Sequence, residues 1–309
     1  MSVKRFIKTY LQWLLPLMQK IRFAIFRVIG SINPILLAKI LFMDAHPGYR
    51  LNLKSPKTLA DKVNWLKFNT NTEIWSQLAD KYLVRDFVIE KGLEETLNPI
   101  YGIYDRPEDI DFGLLPNSFV IKTTNGGAGV QVEIIRDKSE INQAQLIHKL
   151  NTWLKQQSPI YLAEPHYLKI KPRILVEKLL NDGSEGGSLV DYKFNCFDGK
   201  VYSIFLCYGR SNGSVHHSIY DRDWNIHHEC MTSIHHHNEI FPKPNSFEKM
   251  IEYSEILSKG FPFVRVDWYE IEGTPVFSEM TFTPGGGYFR NYTMEYLEEM
   301  GEQLILPQL

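Results

Sequence analysis

The sequence predicts an α+β protein in which a helical N-terminal segment precedes a body of hairpins and amphipathic helices. Three hairpin signals carry that prediction. Leu189 to Phe197 and Lys200 to Tyr208 are strand-like runs joined by Asp198-Gly199, the strongest short hairpin signal in the chain. Phe263 to Tyr269 and Pro275 to Phe282, rich in β-branched and aromatic residues, flank a turn at Glu272-Gly273. Asn117 to Lys122 runs through Thr-Thr-Asn-Gly-Gly-Ala-Gly129 into Val130 to Ile135, giving strand, glycine loop, strand. Helical stretches fall between these runs.

Length and composition set the outer bounds. With 309 residues, 44% hydrophobic and 23% charged, the chain has the make-up of a globular protein with two or three subdomains. Cys196, Cys207 and Cys230 form no C-x-x-C pair and no disulfide framework, which points to a reducing, cytoplasmic compartment. The net charge of −2 hides an asymmetry. Residues 1–43 carry seven basic residues (Lys4, Arg5, Lys8, Lys20, Arg22, Arg27, Lys39) and no acidic one. The remainder holds 27 of the 34 basic residues and all 36 acidic ones, a net of −9. An acidic body argues against broad nucleic-acid binding, which needs a basic footprint.

In chain order, residues 1–43 are expected to be a basic amphipathic helical segment. No apolar run reaches the roughly 18–20 residues of a spanning helix, and no small-residue cleavage site marks a signal peptide. The segment either lies on an anionic membrane surface or packs on the body with its basic face in water. Ser55-Pro56 precedes a helix near Thr58 to Phe68 with Val63, Trp65 and Leu66 on its apolar side. Asp80 to Glu90 reads as a second helix, carrying Lys81 and Arg85 one turn apart and ended by Gly92. Asn98 to Tyr104 is a short strand, Asn142 to Gln156 a helix, and Arg173 to Leu180 a buried-type strand followed by a loop with Gly183, Gly186 and Gly187. Residues 216–237 hold seven of the ten histidines and read as loop-rich surface; zinc ligation there lacks a recognised spacing. Glu248 to Lys259 and Met294 to Leu304 are the last helices.

Two stretches carry chemistry. Arg265 and Asp267 share one strand face, as do Glu279 and Thr281. Paired as a hairpin, they bring two carboxylates and a guanidinium to one cleft, an oxygen-only set suited to Mg²⁺ with a nucleotide phosphate; the alternative is a solvated, charged sheet face. The glycine loop lacks a Walker A ending. Its backbone N–H groups either approach phosphate oxygens, with Lys122 adding a point charge, or form a plain turn. Asp221-Arg-Asp223 is the short metal-nucleotide pattern of many glycosyltransferases.

The order of these parts resembles the ATP-grasp superfamily over about residues 78–290: Lys81, Lys122 before the glycine loop, Leu-Val-Glu-Lys-Leu-Leu180, then Arg-Val-Asp267 and Ser-Glu-Met-Thr-Phe-Thr-Pro-Gly285. The finer wording is similar to its TupA-like, teichuronopeptide-biosynthesis branch, back to about residue 50. It appears in Leu-Lys-Ser-Pro-Lys-Thr-Leu-Ala-Asp-Lys-Val-Asn-Trp-Leu-Lys67, Asp-Lys-Tyr-Leu-Val-Arg85, Asp-Tyr-Lys-Phe-Asn-Cys-Phe-Asp-Gly-Lys200 and Glu-Met-Thr-Phe-Thr-Pro-Gly-Gly-Gly287. The resemblance implies an ATP-grasp fold, two α+β subdomains clasping ATP. It divides the chain into the helical segment 1–43, a mostly helical subdomain 44–110, a lid with the glycine loop at 111–176 and a catalytic subdomain 177–309. It implies an ATP-dependent carboxylate–amine or carboxylate–thiol ligase working through an acyl phosphate. Lys81 and Lys122 would hold the α- and β-phosphates of ATP under a lid that includes Thr124, Asn125, Gly126, Gly127 and Gly129. Glu177, Lys178 and Leu180 would meet adenine, and Glu185 the ribose. Lys193 would approach the γ-phosphate, Asp267 and Glu279 would bind Mg²⁺, and Arg265 would stabilise the acyl-phosphate and tetrahedral states. Many members carry Asn where Thr281 stands, so Thr281 is the expected but weaker third Mg²⁺ ligand.

The branch is associated with cell-surface polysaccharide biosynthesis. The expected reaction is therefore amide formation between an amino acid or amine and a carboxyl-bearing glycan, lipid-linked at the inner face of the cytoplasmic membrane. The competing readings are a glycosyltransferase using Asp221 and Asp223 for a nucleotide-sugar metal, and a degenerate ATP-grasp protein that only binds partners.

Overall fold

The computed structural model describes residues 15–127, 130–156, 158–183, 189–209, 215–232 and 240–308. The N-terminal part is helical. Helix α1 (Leu15–Ile32) leads into α2 (Pro34–Ala45), whose start is fixed by proline in its first turn and by Asn33, which accepts from Leu36 N–H. Helix α2 buries Leu37, Ala38, Leu41 and Phe42. Helix α1 leaves Leu17, Met18, Ile21, Phe23, Ile25, Val28 and Ile32 exposed.

Helix α3 (Leu59–Asn69) starts from a capping box in which Thr58 and Asp61 satisfy each other's backbone N–H groups. It packs against α9 (Met294–Gln303), and Gly301 sits so close that a Cβ there would come 2.1 Å from the Lys57 carbonyl oxygen. The expected Asp80–Glu90 helix needs correction. A helix α4 (Glu73–Ala79) precedes it and α5 spans only Val84–Glu90, so Lys81 stands in the turn between them. Asp80 Oδ1 accepts from Tyr82 and Leu83 N–H, which favours the turn over a continuous helix.

Two antiparallel sheets follow. The smaller has the order β1-β4-β2-β3, from β1 (Ile100–Tyr104), β2 (Phe119–Thr123), β3 (Val132–Ile135) and β4 (Ile174–Lys178). One face packs on α6 (Gln143–Leu154) in a core containing Phe119, Ile121, Leu146, Leu150, Trp153, Ile174 and Val176. A single-turn helix, α7 (Ser158–Tyr161), links α6 towards β4. The ladder between β1 and β4 crosses the divisions read at residues 110/111 and 176/177.

The larger sheet has the order β7-β6-β5-β8-β9. Its strands are β5 (Asp191–Phe197), β6 (Lys200–Tyr208), β7 (His216–Asp221), β8 (Val264–Ile271) and β9 (Thr274–Thr281). Helix α8 (Phe247–Ser258) covers its apolar face, where Phe194, Val264, Val266, Trp268 and Met280 are buried. Strand β7 corrects the expectation of loop across 216–237. His216 to Asp221 pair with β6 in register from Tyr208 back to Ser203, so the ladder with the preceding strand holds a segment whose own composition gives no strand alternation. His235, His236 and His237 lie outside the described residues.

Candidate active site

The charged face of the larger sheet is built by register. Lys193 on β5 pairs with Asp267 on β8, which pairs with Glu279 on β9. One step along, Asn195, Arg265 and Thr281 form the next row. Because side chains alternate with period two, all six residues face away from the apolar core. A register shift between Asp267 and Trp268 interrupts the ladder beside Asp267.

The charges are tightly matched. Lys193 Nζ lies 2.6 Å from Asp267 Oδ2 and 3.5 Å from Asp191 Oδ1. Arg265 grips both Asp267 oxygens at 2.6 Å and reaches Glu279 Oε1 at 3.2 Å and Thr281 Oγ1 at 3.3 Å. Lys81 Nζ reaches Glu279 Oε2 at 3.2 Å. Three cations thus meet three carboxylates, with Asp267 fully buried. Burial alone would push the Glu279 carboxyl up, but Lys81, Lys193 and Arg265 outweigh it and hold the group well below the usual carboxylate range. Burial likewise opposes the charge on Lys193, yet Asp191 and Asp267 raise it above the ordinary lysine value.

The smaller sheet supplies the other wall. Lys122 and Glu177 project from its face opposite the core and form an ion pair at 2.6 Å. Beyond β2 the chain turns through Thr124, Asn125, Gly126 and Gly127. Thr124 is fully buried, donates its N–H to Arg173 O and gives its own carbonyl to Lys81 N–H. Asn125 Oδ1 is buried without a partner. Gly126 is required by space, since a Cβ there would come 2.7 Å from Thr123 Oγ1. Its carbonyl accepts from Lys81 Nζ at 2.5 Å. Lys81 therefore touches the glycine turn and the β8–β9 hairpin at once, and the two stretches read from the sequence face one cleft.

The remaining expected residues are placed as follows. Lys178, exposed at the end of β4, is held through its backbone by Pro99 O and Asn98 Nδ2. Leu180 follows β4 and is half-buried. Gly129 and Glu185 lie outside the described residues. Asp221 lies in the same cross-sheet row as Asn195 and Arg265, but on the edge strand β7, three strands from β8. Asp221 Oδ1 accepts from the N–H groups of Asp223 and Asn225, and Oδ2 from Asn225 Nδ2, so its carboxylate caps the turn after β7. Sequence reading missed Asp191, which shares Lys193 with Asp267, and the Asp80–Arg173 pair at 3.5 Å. The signal for Asp191 was its place two residues before Lys193 on the same face of a hairpin strand.

A charged cleft between two antiparallel sheets, with lysines from both walls, is the arrangement that the ATP-grasp resemblance implies. The family described as TupA-like ATPgrasp matches residues 61–305, and the chain belongs to that family. Solved structures with a similar fold include a D-alanine–D-alanine ligase from Bacillus anthracis complexed with ATP. It is 17% identical, with a TM-score of 0.45, over 75% of this chain and 63% of that one. An L-amino acid ligase from Bacillus licheniformis is 14% identical, with a TM-score of 0.45, over 79% of this chain and 54% of that one. This chain thus spans less than two thirds of the length of either. No curated protein matches it.

Proposed function

We propose that the protein is a carboxylate–amine ligase that uses ATP to make an acyl phosphate and then joins an amino acid or amine to a carboxyl-bearing glycan of a cell-surface polysaccharide. The observation that carries this reading is Lys81, bonded to Gly126 O on one wall and Glu279 on the other, beside Lys193 and Arg265. Phosphoryl transfer asks a protein mainly for positioning and charge neutralisation. In this reading Lys81 and Lys122 hold the phosphates of ATP, under the turn Thr124 to Gly127. Glu177, Lys178 and Leu180 flank the strand end assigned to adenine. Lys193 neutralises the transferring phosphoryl group, and Arg265 the charge that develops on the acyl oxygen.

The donor set fits Mg²⁺. Asp267, Glu279 and Thr281 offer oxygen atoms only, and Glu279 is held ionised by its neighbours. Those residues would hold the ion, which supplies charge neutralisation between the phosphates. Arg265 already bonds all three, so it sets the orientation of the ligand oxygens.

The test is ADP release with Mg-ATP, uronic acids and amines, run beside hydroxylamine trapping of acyl phosphate. Amine-dependent turnover with a trapped hydroxamate supports the ligase. ATP binding with no hydroxamate from any acid sinks it. The glycosyltransferase alternative is disfavoured by the turn-capping role of Asp221.

The reading extends to location. A lipid-linked, carboxyl-bearing glycan at the inner face of the cytoplasmic membrane gives α1 a use. No helix among the described residues is long and apolar enough to cross a membrane. Helix α1 instead exposes seven large apolar side chains interspersed with Lys20, Arg22 and Arg27, a composition suited to peripheral contact with anionic lipid. Co-sedimentation with vesicles containing phosphatidylglycerol, compared with phosphatidylcholine alone, checks it; equal partition into both removes the electrostatic part.

A further inference from the structure

Next to the site just described, a second group of charges is buried without direct pairing. Lys67 on α3 is 2% exposed. Its ammonium donates to Gly286 O at 2.9 Å and otherwise lies over the rings of Phe68 and Tyr288, at 4.9 and 5.2 Å. Glu164, 7% exposed, accepts from Thr283 Oγ1 at 2.5 Å. His166 is fully buried; its Nε2 lies 3.4 Å from the same hydroxyl, and its Nδ1 has no hydrogen-bond partner. Lys67 and Glu164 influence each other electrostatically, yet they form no ion pair within 4.0 Å. Buried charges are ordinarily paired at contact. Here burial pushes the Lys67 ammonium down and the Glu164 carboxyl up from their usual values.

The group is an extension of the cleft. Thr283 continues the alternation of Glu279 and Thr281 beyond the end of β9. The chain then turns through Gly285, Gly286 and Gly287, all with positive φ, and comes back over α3. Tyr167 lies within electrostatic reach of both groups. Burial pushes its hydroxyl up, and Glu164, Glu279, Arg265 and Asp267 all act on it.

We propose that Lys67, Glu164, His166 and Thr283 form the acceptor subsite, and that it takes a free α-amino acid as its zwitterion. The inference rests on the ligase reading above and names the amine substrate's class. Lys67 receives the α-carboxylate. Glu164, with one oxygen fixed by Thr283, receives the α-ammonium. A zwitterion supplies each buried charge with the contact that the two protein groups do not make with each other. An amine lacking a carboxylate leaves Lys67 unmatched. In the coupling step Glu164 accepts one ammonium proton, and the freed nitrogen lone pair attacks the acyl carbon. The C–N bond forms, the C–O bond to phosphate breaks with its electron pair leaving on phosphate, and phosphate takes the second nitrogen proton.

The experiment is saturation-transfer NMR on the full chain with Mg²⁺ and a non-hydrolysable ATP analogue. The twenty protein amino acids serve as probes, followed by the amide and the N-acetyl form of each one that binds. At least one amino acid is expected to bind, with both blocked forms at least tenfold weaker. Lys67→Gln is expected to bring the amino acid and its amide within twofold, and Glu164→Gln to do the same for the N-acetyl form, with affinity for the ATP analogue retained. Thr283→Val, which removes only the hydroxyl contact, is expected to weaken the amino acid several-fold and keeps the question answerable where a charge variant does not fold. Absence of binding by every amino acid overturns the proposal. So does unchanged selectivity in variants that still bind the analogue. Failure of the ligase reading shows separately, as an amino acid that binds with this selectivity while no acid yields a trapped hydroxamate.

Discussion

The two sheets each bring a lysine and a glutamate to the cleft, but they hold them differently. On the larger sheet, Lys193, Asp267 and Glu279 lie in register across three strands, and every charge touches at least one opposite charge. On the smaller sheet, Lys122 and Glu177 form one isolated pair just before a glycine turn. The first arrangement is fixed by ladders and buried; moving Lys193, Arg265, Asp267 or Glu279 takes an ion-pair partner from two other charges. The second can exchange its partner for another anion at the loss of one ion pair. The wall built by the larger sheet is thus pre-set, and the wall built by the smaller sheet is adjustable.

The strongest attempt to break that contrast is Asp267→Asn. It leaves Lys193 and Arg265 without their shared carboxylate inside the protein. Removing one member of a buried charge set costs about 3–5 kcal/mol of stability. Loss of a pre-set electrostatic group in an active site typically lowers kcat about 100-fold or more. Denaturant unfolding and steady-state ADP release measure the two effects. A variant with wild-type stability and kcat would show that the wall is not pre-set.

Lys122→Gln probes the adjustable wall and is expected to act more gently. The Lys122 and Glu177 side chains are 19% and 7% exposed, so the substitution also leaves a mostly buried carboxylate without its partner, at a cost of about 3 kcal/mol of stability or less. The expected result is a KM for ATP raised about tenfold, equal to about 1.4 kcal/mol of binding, with kcat changed far less. A fall in kcat matching that of Asp267→Asn would erase the distinction between the walls.

This contrast also explains what the sequence disclosed. The β8–β9 hairpin was legible because period-two alternation and a two-residue turn are local, and they place Arg265, Asp267, Glu279 and Thr281 on one face. Lys81 was visible as a residue, but its position was not. Asp80 breaks the helix there by bonding the backbone N–H groups that a continuous helix would use. Strand β7 was hidden because only its partner β6 makes it a strand. Lys67, Glu164 and Thr283 come from positions more than a hundred residues apart in part, and no spacing rule joins them. Thr283 alone had a local signal, as the third member of the row begun by Glu279 and Thr281.

A pH measurement sharpens the account of the larger sheet. Glu279 has a folded-state value below that of an unfolded glutamate, about 4.3. Its stabilising contribution is therefore fully present above that unfolded value and is lost as pH falls through the depressed folded value. The stability gap between wild type and Glu279→Gln is expected to be constant above about pH 5.5 and to narrow steadily below about pH 4.3. Urea midpoints across pH 3 to 7 read it. A gap that widens with acid would mean that Glu279 is protonated more easily in the fold, and that its three cations do not dominate.

The smallest effect on activity is expected at Asp221→Ala, which lies outside both walls. Asp221 Oδ1 accepts two backbone N–H groups and Oδ2 a side-chain amide, all within the turn that follows β7. His227 Nε2 also lies 3.3 Å from Oδ2, and the same ring's Nδ1 lies 2.8 Å from Glu229. Removing the carboxylate frees those donors to water at a partly exposed site, so the cost is about 1–2 kcal/mol of stability, as for a lost cap. The turn sits at the far edge of the larger sheet, separated from β8 and β9 by β6 and β5. ADP release is therefore expected to stay within about twofold of wild type once the variant is assayed below its unfolding temperature, since substitutions away from a site rarely shift it further. The opposite pattern, with activity abolished in Asp221→Ala and retained in Lys122→Gln and Glu279→Gln, would move the chemistry from the cleft between the sheets to the β7 turn and favour a nucleotide-sugar metal there.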